Sequence, residues 1–166
     1  MSPKSKTPVE QVPLSGLLDI VLEALLTEFR AELESAGYAD LRPTHGCVFR
    51  FVREDGMRLT ELATLASITK QSAGEVVDEL AQLGYVERIP DPADRRAKLI
   101  SLTAKGEEAQ RVGYRLFAGI EKRWAERYGV ERVKQMRRLL EEVAGTEAPQ
   151  LVPELSRAAR GELAPA

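Results

Sequence analysis

The chain has 166 residues, 43% of them apolar and 30% charged, with a formal net charge of −2, one histidine and one cysteine. That length suits one domain, or one domain with an extension, burying about two-thirds of its unfolded surface, and the composition excludes disorder as the default. No apolar run approaches the roughly 20 residues that span a bilayer, and a lone cysteine excludes a disulfide framework, as expected for a cytosolic protein.

Residues 1–12 are polar with two prolines and are expected to form a flexible arm. No apolar core of a secretory signal follows the opening Met-Ser-Pro-Lys-Ser-Lys-Thr-Pro, so a cytoplasmic, nucleoid-associated location is expected. Leu14, Leu17, Leu18, Val21, Leu22, Leu25, Leu26 and Phe29 keep helical spacing to about Ala36, and Gly37 ends the pattern. This stripe covers nearly half the circumference, more than one neighbour can bury, which points to contact with both its own domain and a partner chain. Pro43 suits a first helical position, and a helix to about Arg53 would bury Cys47, Val48, Phe51 and Val52. Glu54-Asp55-Gly56 closes it.

From Leu59 to Thr103 the pattern becomes two short helices, a strand, a charged turn and a second strand. Thr60 is read as the N-cap of the first helix, which carries Leu62, Ala63 and Ala66, and Ser67-Ile68 as the break. Thr69 caps the second helix, whose Ala73, Val76, Val77, Leu80 and Leu83 form one stripe before Gly84 terminates it. Tyr85-Val86 and Leu99–Leu102 read as paired strands around the turn Pro90–Arg96. A helix-turn-helix followed by a β-ribbon is a winged-helix arrangement suited to duplex DNA. The start of the second helix would enter the major groove: Lys70 suits guanine or phosphate, Gln71 an adenine edge, and Ser72 either. Gly74 would let the backbone approach the DNA. Glu75 could accept from a cytosine amine or orient a neighbouring cation. At the hairpin tip Arg95 and Arg96 suit a narrow minor groove, with Lys98 beside them and Asp94 as an internal brace.

From Ala104 the pattern is helical for about six turns, with Val112, Leu116, Ile120 and Trp124 near one face and Phe117 close by. Tyr128-Gly129 breaks it, and a last helix from Val130 to Ala144 carries Val133, Met136, Leu139, Leu140 and Val143. The expected architecture is mainly α with a small β-wing. A winged helix-turn-helix lobe (38–103) is carried by an all-helical dimerisation region (13–37 and 104–144), followed by a C-terminal extension (145–166) that includes a short helical pattern near Pro153–Arg160. Leu14, Leu17, Leu18, Val21, Ile120, Val133, Leu139 and Leu140 are the expected dimer contacts. Two-fold pairing would space two reading helices by about 34–36 Å.

The runs Asp91–Gly106 and Ile68–Leu80 resemble the wing and recognition helix of the multiple-antibiotic-resistance regulator (MarR) family of transcriptional regulators, and the resemblance extends over about Leu14–Ala144. It implies a homodimer binding a pseudo-palindromic operator, usually as a repressor released by a small-molecule or oxidant signal. It assigns base contacts to Thr69–Ser72, the minor-groove arginine to Arg96, and the brace to Asp94. Effectors of such regulators are small lipophilic or aromatic compounds, for which His45, Phe117 and Trp124 are candidate lining residues. Against catalysis and metal binding, His45 and Cys47 point about 200° apart on a helix and cannot chelate together. No phosphate loop, nucleophile elbow or Cys-x-x-Cys occurs. Neither an enzyme, a metal nor a cofactor is expected, and Cys47 reads as a packing residue among apolar neighbours.

Overall fold

The computed structural model of the chain describes residues 12–94 and 96–147. Six helices and a small antiparallel sheet follow in the order α1 (Leu14–Ser35), α2 (Pro43–Phe49), β1 (Met57–Arg58), α3 (Leu59–Leu65), α4 (Lys70–Gln82), β2 (Val86–Pro90), β3 (Lys98–Leu102), α5 (Ala104–Tyr128) and α6 (Val130–Glu147). The sheet order is β1-β3-β2, with Val86 opposite Leu102 and Met57 opposite Ile100. This is the winged helix-turn-helix with a helical frame that the periodicities predict. The N-terminal arm up to residue 11, Arg95, and the extension from residue 148, with its short helical pattern, lie outside the described residues.

The lobe is organised by α4. Its stripe Ala73, Val77 and Leu80 is fully buried, and Val77 and Leu80 share one core with Leu62, Val48, Phe51, Met57 and Ile100. Thr69 caps the helix, its Oγ1 accepting the Ser72 N–H at 3.1 Å. Gly84 follows the helix end with φ +78°, a conformation that a side chain would strain. In the break between α3 and α4, Ser67 stands at φ 54°. The frame consists of α1, α5 and α6, with Phe29 of α1 stacked on Phe117 of α5 at 4.0 Å between centroids.

Several boundaries differ from the sequence reading, among them the first wing strand, which runs Val86–Pro90 and not Tyr85–Val86. Helix α2 stops at Phe49, not near Arg53, and the next two residues tighten into i→i−3 bonds, Phe51 N–H to Val48 O and Val52 N–H to Phe49 O. The carbonyls of Phe49 and Val52 are taken by the side-chain amide of Gln110 on α5, at 2.7 and 3.0 Å. Thr60 does not cap α3. Met57 and Arg58 pair with β3, so the chain is extended at Arg58 (ψ 145°) and the helix begins at once with Leu59. Helix α6 runs three residues past Ala144, to Glu147.

Candidate nucleic-acid interface

The first turn of α4 is open to solvent. Lys70, Gln71, Ser72 and Glu75 are all exposed. Ser72 Oγ shares a hydrogen bond with Thr69 Oγ1 at 2.9 Å, and Gln71 Nε2 donates to Glu75 Oε1 at 3.2 Å. Glu75 is thus occupied by the neighbouring amide, which screens its acceptor and holds the Gln71 side chain along the helix. Gly74 is half-buried, and a Cβ there would sit in ordinary contact with Leu59 Cδ2 at 3.7 Å, so the packing of α3 on α4 does not by itself require a glycine.

The wing turn is built by carboxylates acting on the backbone. Asp94 Oδ1 accepts the Arg96 N–H at 3.0 Å, so it braces the tip through the main chain. Asp91, nearly buried, accepts the Ala93 N–H at 2.8 Å and both Nε and Nη2 of Arg58, at 2.9 and 2.6 Å. The Arg58 guanidinium, with help from that N–H, holds the Asp91 carboxyl below the usual range. Arg58 was not legible as a functional residue because its partner lies 33 positions away. Arg96 and Lys98 are exposed, Lys98 opening β3 opposite Pro90.

Charge in the lobe is sorted. Residues 42–103 contain nine acids and nine Lys or Arg residues. Five of those acids are tied to arginines: Asp55 and Glu61 to Arg53, Asp78 to Arg88 at 2.6 Å, Glu79 to Arg42, and Asp91 to Arg58. Lys70, Arg96 and Lys98 hold no ion pair among the described residues. Positive charge is left free at the start of α4 and on the wing.

These features carry a family signature. Residues 39–97, about a third of the chain, match the model of the MarR family. By this winged-helix segment the chain is similar to the MarR family, and its fold is that of solved MarR-family regulators. A transcriptional regulator designated PA4135 is 28% identical, with a TM-score of 0.65 over 82% of this chain and 98% of that one. The MarR family protein Rv2887 of Mycobacterium tuberculosis, solved in complex with salicylic acid, is 26% identical, with a TM-score of 0.62 over 81% of this chain and 98% of that one. CouR of Rhodococcus jostii RHA1, solved bound to p-coumaroyl-CoA, is 25% identical, with a TM-score of 0.64 over 84% and 97%. No curated protein matches the chain at a significant level.

The residues expected to line an effector cleft separate in this fold. Phe117 and Trp124 line a cleft of about 400 Å³ between α1, α5 and α6, together with Leu25, Val133, Met136 and Leu140. His45 is elsewhere: it is 1% exposed, at the contact of α2 with α4, and bonded to Glu79. Of the expected dimer contacts, Leu14, Leu18, Val21, Leu139 and Leu140 are exposed and Leu17 is half-buried. Ile120 and Val133 are buried within their own chain and offer a partner no surface. Exposed apolar residues that the interface reading did not include are Ile20, Leu22, Tyr128, Val130, Met136 and Val143. Cys47 is half-buried, its thiol donating to Thr44 O at 2.9 Å. No helix among the described residues is long and apolar enough to cross a membrane.

Proposed function

We infer that the chain is a sequence-specific DNA-binding transcriptional regulator that acts as a homodimer, represses its target, and releases DNA when a small lipophilic or aromatic effector binds. The observation that carries this reading is the sorting of charge in the lobe. Asp78 and Glu79 of α4 and Asp91 of the wing are paired with arginines, while among the described residues Lys70, Arg96 and Lys98 hold no ion pair beside an exposed, capped first turn. A helix enters the major groove by that end, where Gln71 and Lys70 can reach base edges, and an arginine on a hairpin suits the minor groove. The second copy would cover the exposed leucines and valines of α1 and α6. The salicylic acid and p-coumaroyl-CoA held by two structural relatives support an aromatic effector, and the Phe117–Trp124 cleft is the candidate place for one.

Release would work by population shift: only an effector with higher affinity for a dimer whose two α4 helices no longer match successive grooves can weaken DNA binding. The test is a mobility-shift titration with DNA upstream of its own gene at low salt, with and without salicylate. A retarded band that salicylate or a related aromatic acid removes is the expected result. Absence of any retarded band overturns the DNA-binding reading. A band indifferent to every aromatic acid tried overturns the effector class.

A further inference from the structure

Helix α2 is only seven residues long and is gripped at both ends by polar side chains from other elements. At its C-terminal end, Gln110 of α5 donates to the carbonyls of Phe49 and Val52. At its N-terminal end, the buried His45 accepts the Arg42 N–H on Nδ1 at 3.1 Å. A neutral imidazole that accepts on Nδ1 carries its proton on Nε2. That atom lies 2.9 Å from Glu79 Oε2 on α4, so the ring donates to the carboxylate. The Arg42 guanidinium closes on the same oxygen. His45 first, and Arg42 with it, hold the Glu79 carboxyl below its ordinary range, so it stays ionised as the acceptor of both.

We propose that Arg42, His45 and Glu79 form a positioning bridge that fixes the attitude of α4 against α2 and, through Gln110, against the helical frame. The proposal rests on the DNA-binding reading given above. Its physical basis is a division of labour. The apolar stripe Ala73, Val77 and Leu80 sets how deep α4 lies in the lobe, but apolar burial is non-directional. Charge-assisted hydrogen bonds have direction, and two donors converging on one carboxylate oxygen fix both the pitch and the rotation of the helix that carries it. Glu79 and Arg42 are about half exposed, so the pair adds little to global stability. A bridge of this kind should therefore show itself more in DNA reading than in melting temperature. It also gives the frame a continuous polar route to the reading helix, α5 to α2 to α4, made of contacts that can each be removed.

The experiment measures affinity for the duplex that the wild-type chain selects from a randomised pool, alongside thermal melting, for the full chain and four variants. Glu79→Ala should lower affinity about tenfold, within the range for coupled neighbouring residues, with a loss of melting temperature too small to account for it. Glu79→Gln, whose amide oxygen still accepts from Arg42 and His45, should keep most of the affinity. Arg42→Ala should weaken binding in the same direction, and Arg42→Ala combined with Glu79→Ala should be no worse than Glu79→Ala alone. Equal binding by wild type and Glu79→Ala, or losses of affinity that simply follow losses of melting temperature, overturns the bridge. A wild-type chain that selects no duplex overturns the DNA-binding reading itself, and the bridge with it, so the two failures are told apart.

Discussion

Gly106 offers the sharpest test of how the lobe is joined to the frame. It lies in the first turn of α5, where its N–H is capped by Thr103 Oγ1 at 3.1 Å, and it packs directly on the start of β2. In an exposed helix, replacing glycine by alanine stabilises by about 0.5–1 kcal/mol. Here a methyl group would fall inside the Tyr85 carbonyl oxygen, 3.0 Å from its carbon and 3.2 Å from Leu102 Cδ2. Carbon–oxygen contacts settle near 3.3 Å, so α5 would have to retreat by about 1 Å. That movement pulls on two bonds that tie the joint, Thr103 N–H to Tyr85 O at 3.1 Å and Thr103 Oγ1 to Gly84 O at 2.6 Å. Overpacking of this kind costs about 1–3 kcal/mol, which outweighs the helix gain. Gly106→Ala should therefore lose about 2 kcal/mol, a fall of roughly 4–8 °C in melting temperature for a chain of this size. Gly46→Ala is the control, since nothing lies within 4 Å of the added methyl, and it should melt slightly higher than wild type. Far-UV circular dichroism melts measure both. A Gly106→Ala protein melting at or above the wild-type temperature would refute the steric argument.

Four further outcomes are expected. Arg96→Ala should weaken binding to a selected duplex by about 1–3 kcal/mol in fluorescence anisotropy while sedimentation shows the oligomer intact; undiminished binding removes Arg96 from the interface. Gln71→Ala should relax preference at the base it reads, and an unaltered profile of selected sequences would exclude it as a reader. Two copies presenting Lys70, Arg96 and Lys98 neutralise about six phosphates, which gives a slope near −5 in log affinity against log salt; a much shallower slope would mean that these side chains do not reach the backbone. The fourth concerns acid. Hydrogen bonds from Arg58 to Asp91, from His45 and Arg42 to Glu79, and from Arg115 and Arg111 to Glu108 lower these carboxyls from their ordinary 3.8 and 4.5. Groups lowered by folding stabilise above their unfolded values, and that contribution disappears as pH falls through the folded ones, so melting temperature should drop between about pH 5 and about pH 3. Glu54 works in the opposite sense, raised chiefly by burial and then by Glu107. A flat melting profile over that range would show that the paired carboxylates contribute nothing.

What the sequence made legible was local. The stripe of α4, the Thr69 cap, the Gly84 stop and the break at Tyr128-Gly129 are each written within a few residues, because caps and periodicity act over one or two turns. What it hid was polar and long-range. Arg58 with Asp91, His45 with Glu79, Tyr85 OH with Asp40 at 2.6 Å, and Gln110 with Phe49 join positions 33 to 61 apart and leave no periodic trace. The same blindness explains the misplaced residues. Ile120 and Val133 look like any other members of apolar stripes, and only the packing of α1, α5 and α6 decides which of those members face inward. His45 stands three residues after Arg42, across Pro43, which is the spacing of a residue that caps a helix start. That signal was present and pointed away from an effector cleft.

A net charge of −2 counts against a nucleic-acid partner only while the pairing of the acids is ignored. A carboxylate repels phosphate only to the extent that its field reaches solvent. One that already accepts from a guanidinium a few ångströms away presents a dipole, whose field falls off faster than that of a charge. Asp78, Glu79 and Asp91 are all of this kind, and their arginines come from the N-cap of α2, from β1 and from β2, which must stay in register for the winged helix to exist. The contacts that hold α4 and the wing in place are therefore the same ones that suppress negative field around them. Losing one of these arginines would do two things at once: loosen the position of a reading element and restore an acid beside it. That is why Arg58→Ala, although it touches no proposed base contact, is expected to weaken DNA binding more than loss of one exposed lysine elsewhere on the lobe.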